Sequence, residues 1–327
     1  MPTATTATAP PPAVVRRIAE LATRAPSFHN TQPWRWRARG ATMELWADRS
    51  RQLGLSDPEG RNLTLSCGAA LHHAVTAAGA LGWSADTRLQ PDPRRPDLLA
   101  RLTLSPAPPT PEAGEVVEAI EHRCTDRRRF TSWPVPDEVL LHLAACAEGD
   151  HVRAVALLDE TARHDAEALV ATALAHHRAA ADLVAEQQDW VDHGTADGVP
   201  SDALPGAAPD GAHPPGRFPP GGADDPGREL EGTDGLVVLC TAAPTVQAWL
   251  DAGRGLSALW LQATRQGLSV VPLSQAVEDE STRAGITARL LHGYGEPLLL
   301  VRVGWQAISR SDLPRTPRRP LADVLDL

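Results

Sequence analysis

Two glycine-bounded helices in matching order constrain this chain more than any other feature. Gly68-Ala-Ala-Leu71 leads to Leu81-Gly82, and Gly253-Arg-Gly-Leu256 leads to Gln266-Gly267. Gly68 precedes Gly82 by the same number of residues as Gly253 precedes Gly267. Each unit follows one strand pattern and leads into another. A helical pattern over 14–25 has a counterpart over 140–148. Elements that recur in the same order read as an internal duplication. Such a chain is expected to fold as a covalent pseudo-dimer with its site between the halves. The halves are placed at 13–110 and 111–327, after a Thr/Ala/Pro-rich stretch over 1–12 expected to be a disordered tail. Gly253-x-Gly255 is a helix-packing pair, since no G-x-G-x-x-G follows a strand.

Apolar periodicity predicts helices over 14–23, 63–81, 112–121, 137–147, 162–188 and 246–266. It predicts strands over 34–37, 43–47, 99–104, 152–158, 236–240, 269–271 and 297–303. Residues 189–234 are dense in Pro, Gly, Asp and Ala. Such a composition builds no core, so the segment is expected to be a long loop or lid, at least partly mobile.

Between the first helix and the first strand lies Arg24-Ala-Pro-Ser-Phe-His-Asn-Thr-Gln-Pro-Trp34. Pro26 and Pro33 stiffen it, and Ser27, His29, Asn30 and Gln32 offer hydrogen-bonding groups. A stiff polar hook suits the edge of a flat heterocycle. A buried core would have no use for it.

Composition closes off several chemistries. The net charge is −10 and the pI about 5.6, which argues against non-specific nucleic-acid binding. No apolar run reaches the length of a membrane span. Cys67, Cys124, Cys146 and Cys240 are scattered without CxxC spacing, which points away from disulfides and structural zinc and towards a reducing cytoplasm. There is no lysine, so a Schiff base and a P-loop lysine are excluded. Tyr294 is the single tyrosine, which removes Tyr–Lys mechanisms. Any anion held by side-chain charge must be held by arginine, which favours bidentate phosphate recognition. His72-His73 point apart on one helix and read as structural, His122-x-Cys124 lacks further ligands at zinc spacing, and His176, His177 and Trp190 read as surface or core residues.

The hook closely resembles the APSxxNxQPW motif of the flavin-dependent nitroreductases. Arg123-Cys-Thr-Asp-Arg127, with Phe130 and Pro134-Val-Pro136 after it, resembles that family's phosphate-binding Arg-x-Ser/Thr-x-Arg/Lys motif. Pro272-Leu273-Ser274-Gln275 sits where the family places a turn over the flavin. Val303-Gly304-Trp305 and Leu313-Pro-Arg-Thr-Pro-Arg-Arg-Pro320 are similar to its C-terminal strand and basic tail. The double length and the lid resemble the Acg-like subgroup of homologues.

The resemblance implies an α+β nitroreductase-like fold, a pseudo-dimeric interface, FMN as cofactor and NAD(P)H as reductant of a small acceptor. It also implies an alternative, since some members are thought to hold FMN under a lid without turning it over. Arg123, Arg127 and Thr125 are the expected phosphate ligands, with Arg315, Arg318 and Arg319 of the tail as further candidates. Pro26, Ser27, His29, Asn30 and Gln32 are expected at the ring edge or ribityl chain, and Pro272, Leu273, Ser274 and Gln275 near flavin N5 and O4. The first half has the hook without the arginine motif, and the second has the arginines without the hook. One FMN per chain follows, and the chain is expected to work as a monomer, with a homodimer as the other arrangement.

Overall fold

The computed structural model describes residues 9–206, 218, 223–226, 233–306 and 315–327. Residues 1–8 of the expected tail, part of the expected lid, and Leu313 and Pro314 lie outside the described residues. In chain order the first elements are α1 (Pro12–Ala22), β1 (Trp34–Arg39), β2 (Thr42–Ala47), α2 (Arg61–Ala80), β3 (Trp83–Leu89) and β4 (Leu98–Pro106). Then come α3 (Ala113–His122), α4 (Asp137–Ala147), β5 (Arg153–Ala156), α5 (Glu160–Ala179), α6 (Ala181–Gln188), β6 (Pro205–Gly206) and β7 (Ala223–Pro226). The last are β8 (Gly235–Thr241), α7 (Val246–Arg265), β9 (Leu268–Leu273), α8 (Gln275–Glu278), α9 (Glu280–Arg289), β10 (Glu296–Trp305), α10 (Leu321–Val324) and β11 (Leu325–Asp326).

The architecture is α+β. A five-stranded sheet runs β11-β1-β2-β4-β3 and a four-stranded sheet runs β5-β8-β10-β9, with β6 and β7 pairing apart from both. The two orders match, with β1-β2-β4-β3 answering β5-β8-β10-β9. In the first sheet Trp34 and Trp36 alternate with Arg35, Arg37 and Arg39, so one face is core and the other solvent. The strands β8 and β10 are buried nearly throughout, because helices cover both faces. Helices α4 and α7 pack Leu143, Leu259 and Trp260 on Val237, Leu239 and Val301. Helices α5 and α9 pack Leu169, Val170 and Ile286 on Leu236, Val238 and Leu300.

Helices α2 and α7 cross between the sheets with their backbones in contact. A Cβ on Gly68 would lie 2.2 Å from the Leu250 carbonyl oxygen, and one on Gly253 would lie 1.9 Å from that of Leu65. Leu250 of α7 joins the core of the first sheet, and Leu65 of α2 joins the core of the second. His72 Nδ1 meets Ser257 Oγ at 2.8 Å across the same crossing. One offset in sequence separates Gly68 from Gly253, Leu65 from Leu250 and His72 from Ser257. Contacts that answer each other in this way are the signature of a two-fold arrangement.

Several elements depart from the periodic reading, among them the unpredicted α9. The helix expected over 162–188 breaks at Ala180, which has φ −94° and ψ 90°, into α5 and α6. The β3 strand at a sheet edge alternates Trp83, Ala85, Thr87 and Leu89 with the exposed Ser84, Asp86 and Arg88, but past Trp83 its inner residues are small or only half-buried, so its apolar signal is weak. Pro12, assigned to the tail, opens α1, where a proline without its N–H is tolerated. The C-terminal segment does not stay with the second sheet, because β11 pairs in parallel with β1 at Trp36↔Leu325. Among the described residues no helix is long and apolar enough to cross a membrane.

The crossing makes a direct prediction. Gly253→Ala should lower unfolding free energy by about 3 kcal/mol, because backbone atoms must separate to admit the methyl group. Gly114→Ala, whose Cβ meets nothing within 4 Å in α3, should instead stabilise by about 0.5–1 kcal/mol. Denaturant titration of both variants checks the pair of opposite signs.

Candidate functional site

The hook between α1 and β1 is built against backbone preference. His29, Asn30 and Gln32 have φ of 48°, 57° and 49°, in the left-handed region. Asparagine tolerates that region, but histidine and glutamine there each cost roughly 1–2 kcal/mol. Contacts from several directions hold them. The Phe28 N–H donates to Ser66 Oγ at 3.1 Å, and the Gln32 N–H donates to Ser27 Oγ at 3.0 Å. Asn30 Nδ2 donates to the carbonyls of Gly198 and Pro317, and Gln32 Nε2 to that of Ala196. The Arg319 N–H donates to Gln32 Oε1 at 2.9 Å. Far from being useless to an interior, these polar side chains are themselves buried.

Beside the hook lies a cavity of about 880 Å3, counting the part open to solvent. The hook contributes Pro26, Ser27, Phe28 and His29, and α2 contributes Asn62, Leu65, Ser66 and Ala69. Thr125 and Arg127 enter from the segment after α3, and Leu256 and Trp260 from α7. Val271, Pro272, Ser274, Gln275, Leu299 and Arg302 come from β9, the turn after it and β10, and Phe218 completes the lining. The walls therefore come from both sheets' layers, with broad apolar surface and a few convergent polar groups. Among the described residues no carboxylate lines the cavity, while Arg127 and Arg302 do. Asp57 accepts the N–H groups of Asn62 and Leu63 and so fixes the first turn of α2, and burial pushes its carboxyl up to about 6.

Behind Trp260 the charge becomes strongly positive. The Arg123 guanidinium lies 4.6 Å from the Trp260 ring centroid and donates to the Arg24 carbonyl, while its buried Nε and Nη1 have no partner among the described residues. Arg318 donates to Asn30 Oδ1 and to the same Arg24 carbonyl, and among the described residues its Nε also has no partner. Burial, then the neighbouring Arg123 and Arg24, push Arg318 down to about 9; burial, then Arg24, pushes Arg123 to about 10. Guanidinium groups keep their protons in proteins, so a bound anion would relieve this crowding.

No family model matches the sequence. Among curated proteins, Rv3131 of Mycobacterium tuberculosis (strain H37Rv), assigned by name to the NAD(P)H nitroreductases, is 37% identical over 317 residues, covering 95% of this chain and 91% of its own length. The protein acg of the same strain, named likewise, is 34% identical over 321 residues, covering 95% of each. The chain belongs to the NAD(P)H nitroreductase family. Solved nitroreductases with bound FMN align with part of it. That from Bacteroides fragilis has 15% identity and a TM-score of 0.41 over 63% of this chain and 95% of its own. That from Desulfitobacterium hafniense has 16% identity and a TM-score of 0.40 over 64% and 96%.

In this nitroreductase-family chain the expected site residues divide into three groups. Pro26, Ser27, His29, Thr125, Arg127, Pro272, Ser274 and Gln275 line the cavity. Arg123, Arg315, Arg318 and Arg319 do not line it: Arg123 and Arg318 form the basic cluster, Arg315 donates to the Glu121 carbonyl, and Arg319 pairs with Asp48. Asn30 and Gln32 turn away from the cavity to the 196–198 turn and the tail, and Leu273 points into the core beside Val271. Sequence reasoning missed Asn62, Ser66, Trp260 and Arg302. Asn62 and Ser66 stand four apart on α2, on one face of a small-residue helix, and that spacing was the available signal.

The expected lid is anchored to the hook. Val191 pairs with Val199, and the turn between them presents Ala196, Asp197 and Gly198 to the first half. Arg51 bonds both Asp197 and the Thr31 carbonyl, and His193 Nδ1 meets Asp197 Oδ1 at 2.8 Å. Further along, Glu186 of α6 accepts the N–H groups of Leu55 and Ser56.

If the arginine cluster is an anion site, inorganic phosphate should raise the melting temperature of the cofactor-free chain above that in chloride of equal ionic strength. Arg123→Met should abolish that rise. In chloride the variant should stay within about 1 kcal/mol of the parent or exceed it, because it removes a buried charge with unmade hydrogen bonds. An undiminished phosphate effect in the variant would place the anion elsewhere.

Proposed function

We propose that the chain holds one FMN between two duplicated halves and passes hydride from NAD(P)H to a small acceptor such as a nitroaromatic, a quinone or a specific metabolite. The observation that carries this is an apolar-walled cavity, fed by both sheets' layers, beside a buried arginine cluster with unmade hydrogen bonds among the described residues. The residues fit the cofactor. Unpartnered nitrogens on Arg123 and Arg318 suit a phosphate dianion, and Leu65, Leu256, Trp260 and Val271 suit a flat ring. The halves at 13–110 and 111–327 are our reading of the matching strand orders and the reciprocal glycine contacts. On that reading the chain is a monomer. Four free cysteines agree with a cytoplasmic setting.

When bound, FMN supplies the hydride-accepting centre. The protein's part is to bind and orient it. Arg123 and Arg318, with Thr125, would hold the phosphate. Ser27, Asn62 and Ser66, with the 272–275 turn, would offer hydrogen bonds to the ring and ribityl chain, and His29, stacked on Phe28 at 4.2 Å, would close one edge. Asn30 and Gln32 would act indirectly, by tying the hook to the lid turn and the tail.

A second reading is favoured by one observation, the fastening of the Ala196–Gly198 turn to Asn30, Gln32 and Arg51. A lid so anchored would keep a nicotinamide from the flavin, and the chain would store FMN.

The reconstituted protein should carry one FMN per chain and lose its flavin absorbance promptly on adding NADPH under nitrogen. Two flavins per chain would contradict the single site. A flavin that dithionite reduces and NADPH does not would favour storage. In that case Asp197→Asn, which loosens the Arg51 contact, should raise the rate of reduction by NADPH several-fold. An unchanged rate would remove the lid as the obstacle.

A further inference from the structure

Arg302 stands in an interior strand, in the apolar run Leu298-Leu-Leu-Val-Arg-Val303. It is buried at 1% exposure, and an interior strand is a costly place for a charge. Two positions far away in sequence, Asp234 and Phe130, and the nearby Gly304 are committed to it. Its Nε donates to Asp234 Oδ2 at 2.7 Å, and the Asp234 side chain is as deeply buried. Its guanidinium carbon lies 4.0 Å from the Phe130 ring centroid. The same ring presses on Gly304, where a Cβ would come within 2.1 Å of Phe130 Cδ2. Any side chain at Gly304 would displace the ring that supports the guanidinium.

Stability alone gives little reason for such a pair, since apolar residues of similar volume are often at least as favourable in its place. Its position gives a better reason. Arg302 lines the cavity that also takes Ser27, Asn62 and Gln275, and among the described residues no carboxylate lines it. A buried cation facing a cavity acts strongly on any charge that develops there, because little water screens it.

We propose that Arg302, oriented by Asp234 and Phe130, is an electrostatic tuning residue of the ring site, favouring electron-rich forms of the bound flavin, with Asp234 setting the strength of its field. This role rests on the FMN reading above. Reduction places negative charge on the ring, and a fixed guanidinium stabilises that charge relative to the oxidised ring. Asp234 cancels part of the positive charge while holding the guanidinium in place.

Sulfite titration of the holoprotein tests this without turnover. The sulfite lone pair forms a bond to flavin N5, and a ring electron pair moves onto the pyrimidine side as negative charge. Arg302→Met should raise the sulfite Kd at least tenfold and lower the midpoint potential by about 30 mV for each tenfold change in the two-electron equilibrium. Asp234→Asn should do the opposite, tightening sulfite several-fold and raising the potential. Arg302→Lys should fall between the parent and Arg302→Met.

A merely structural pair would move Arg302→Met and Asp234→Asn in the same direction, or would lower melting temperature with no change in potential. Either result overturns the proposal. If Arg302→Met fails to fold, the sign of the Asp234→Asn shift decides. A parent chain that takes up no FMN overturns the cofactor reading and this role with it. FMN bound normally, with sulfite affinity unmoved in the variants, overturns only the role of Arg302.

Discussion

The backbone contact between α2 and α7 is the constraint from which the rest of the molecule follows. Glycine at 68 and at 253 lets two long helices touch at carbonyl distance, where any side chain would collide with main-chain oxygen. That closeness sends Leu65 and Leu250 each into the other sheet's core, so neither layer is complete without its counterpart. It also sets the cavity. The α2 residues Asn62, Ser66 and Ala69 and the α7 residues Leu256 and Trp260 reach one space because their helices are locked together a turn or two away. A slip along this crossing would shift both walls at once.

The strained hook depends on that frame and adds a second kind of coupling. Left-handed backbone at His29 and Gln32 persists only where surrounding contacts over-determine it. Those contacts come from α2 through Ser66, from the lid turn through Ala196 and Gly198, and from the tail through Pro317 and Arg319. The tail in turn is held because β11 crosses to the first sheet beside β1. Opening the lid turn therefore removes bonds from the segment that supplies Pro26, Ser27 and His29 to the cavity. If that turn acts as the proposed lid, access to the site and the shape of the site are linked through Asn30 and Gln32.

Much of this was legible in sequence, and the limits have physical causes. Strict alternation exposed β1, and small residues at helical spacing with a closing glycine exposed α2 and α7. The hook announced itself by its residue types, but its partners did not. Asn30 and Gln32 bond carbonyls more than a hundred residues away, and local chemistry carries no record of that distance. The break at Ala180 lies in an alanine run with no glycine or proline, so no local stop signal marks it. Edge strand β3 alternates as β1 does, but its inner face past Trp83 carries small or only half-buried side chains, so its apolar signal stayed weak. Arg302 was the readable residue that went unread, since a lone charge inside an apolar strand must have a partner and commonly has a purpose.

On the proposed duplication, the second half would have no room for a second ring. The sequence offset that relates Gly68 to Gly253 also relates Ser66 to Asp251 and Ala69 to Arg254. In the first half Ser66 accepts the Phe28 N–H of the hook, and Ala69 leaves the cavity open. In the second half Asp251, buried at 5% exposure, accepts from His151 at 2.7 Å and from Arg254 at 2.8 Å. His151 belongs to Glu148-Gly-Asp-His-Val152, the stretch that stands where a second hook would recur. The place that takes a small side chain and a polar turn on one side is filled by an ion-paired cluster on the other. A bulky arginine and its carboxylate partner leave no flat, apolar wall for a ring, and that asymmetry supports one cofactor per chain.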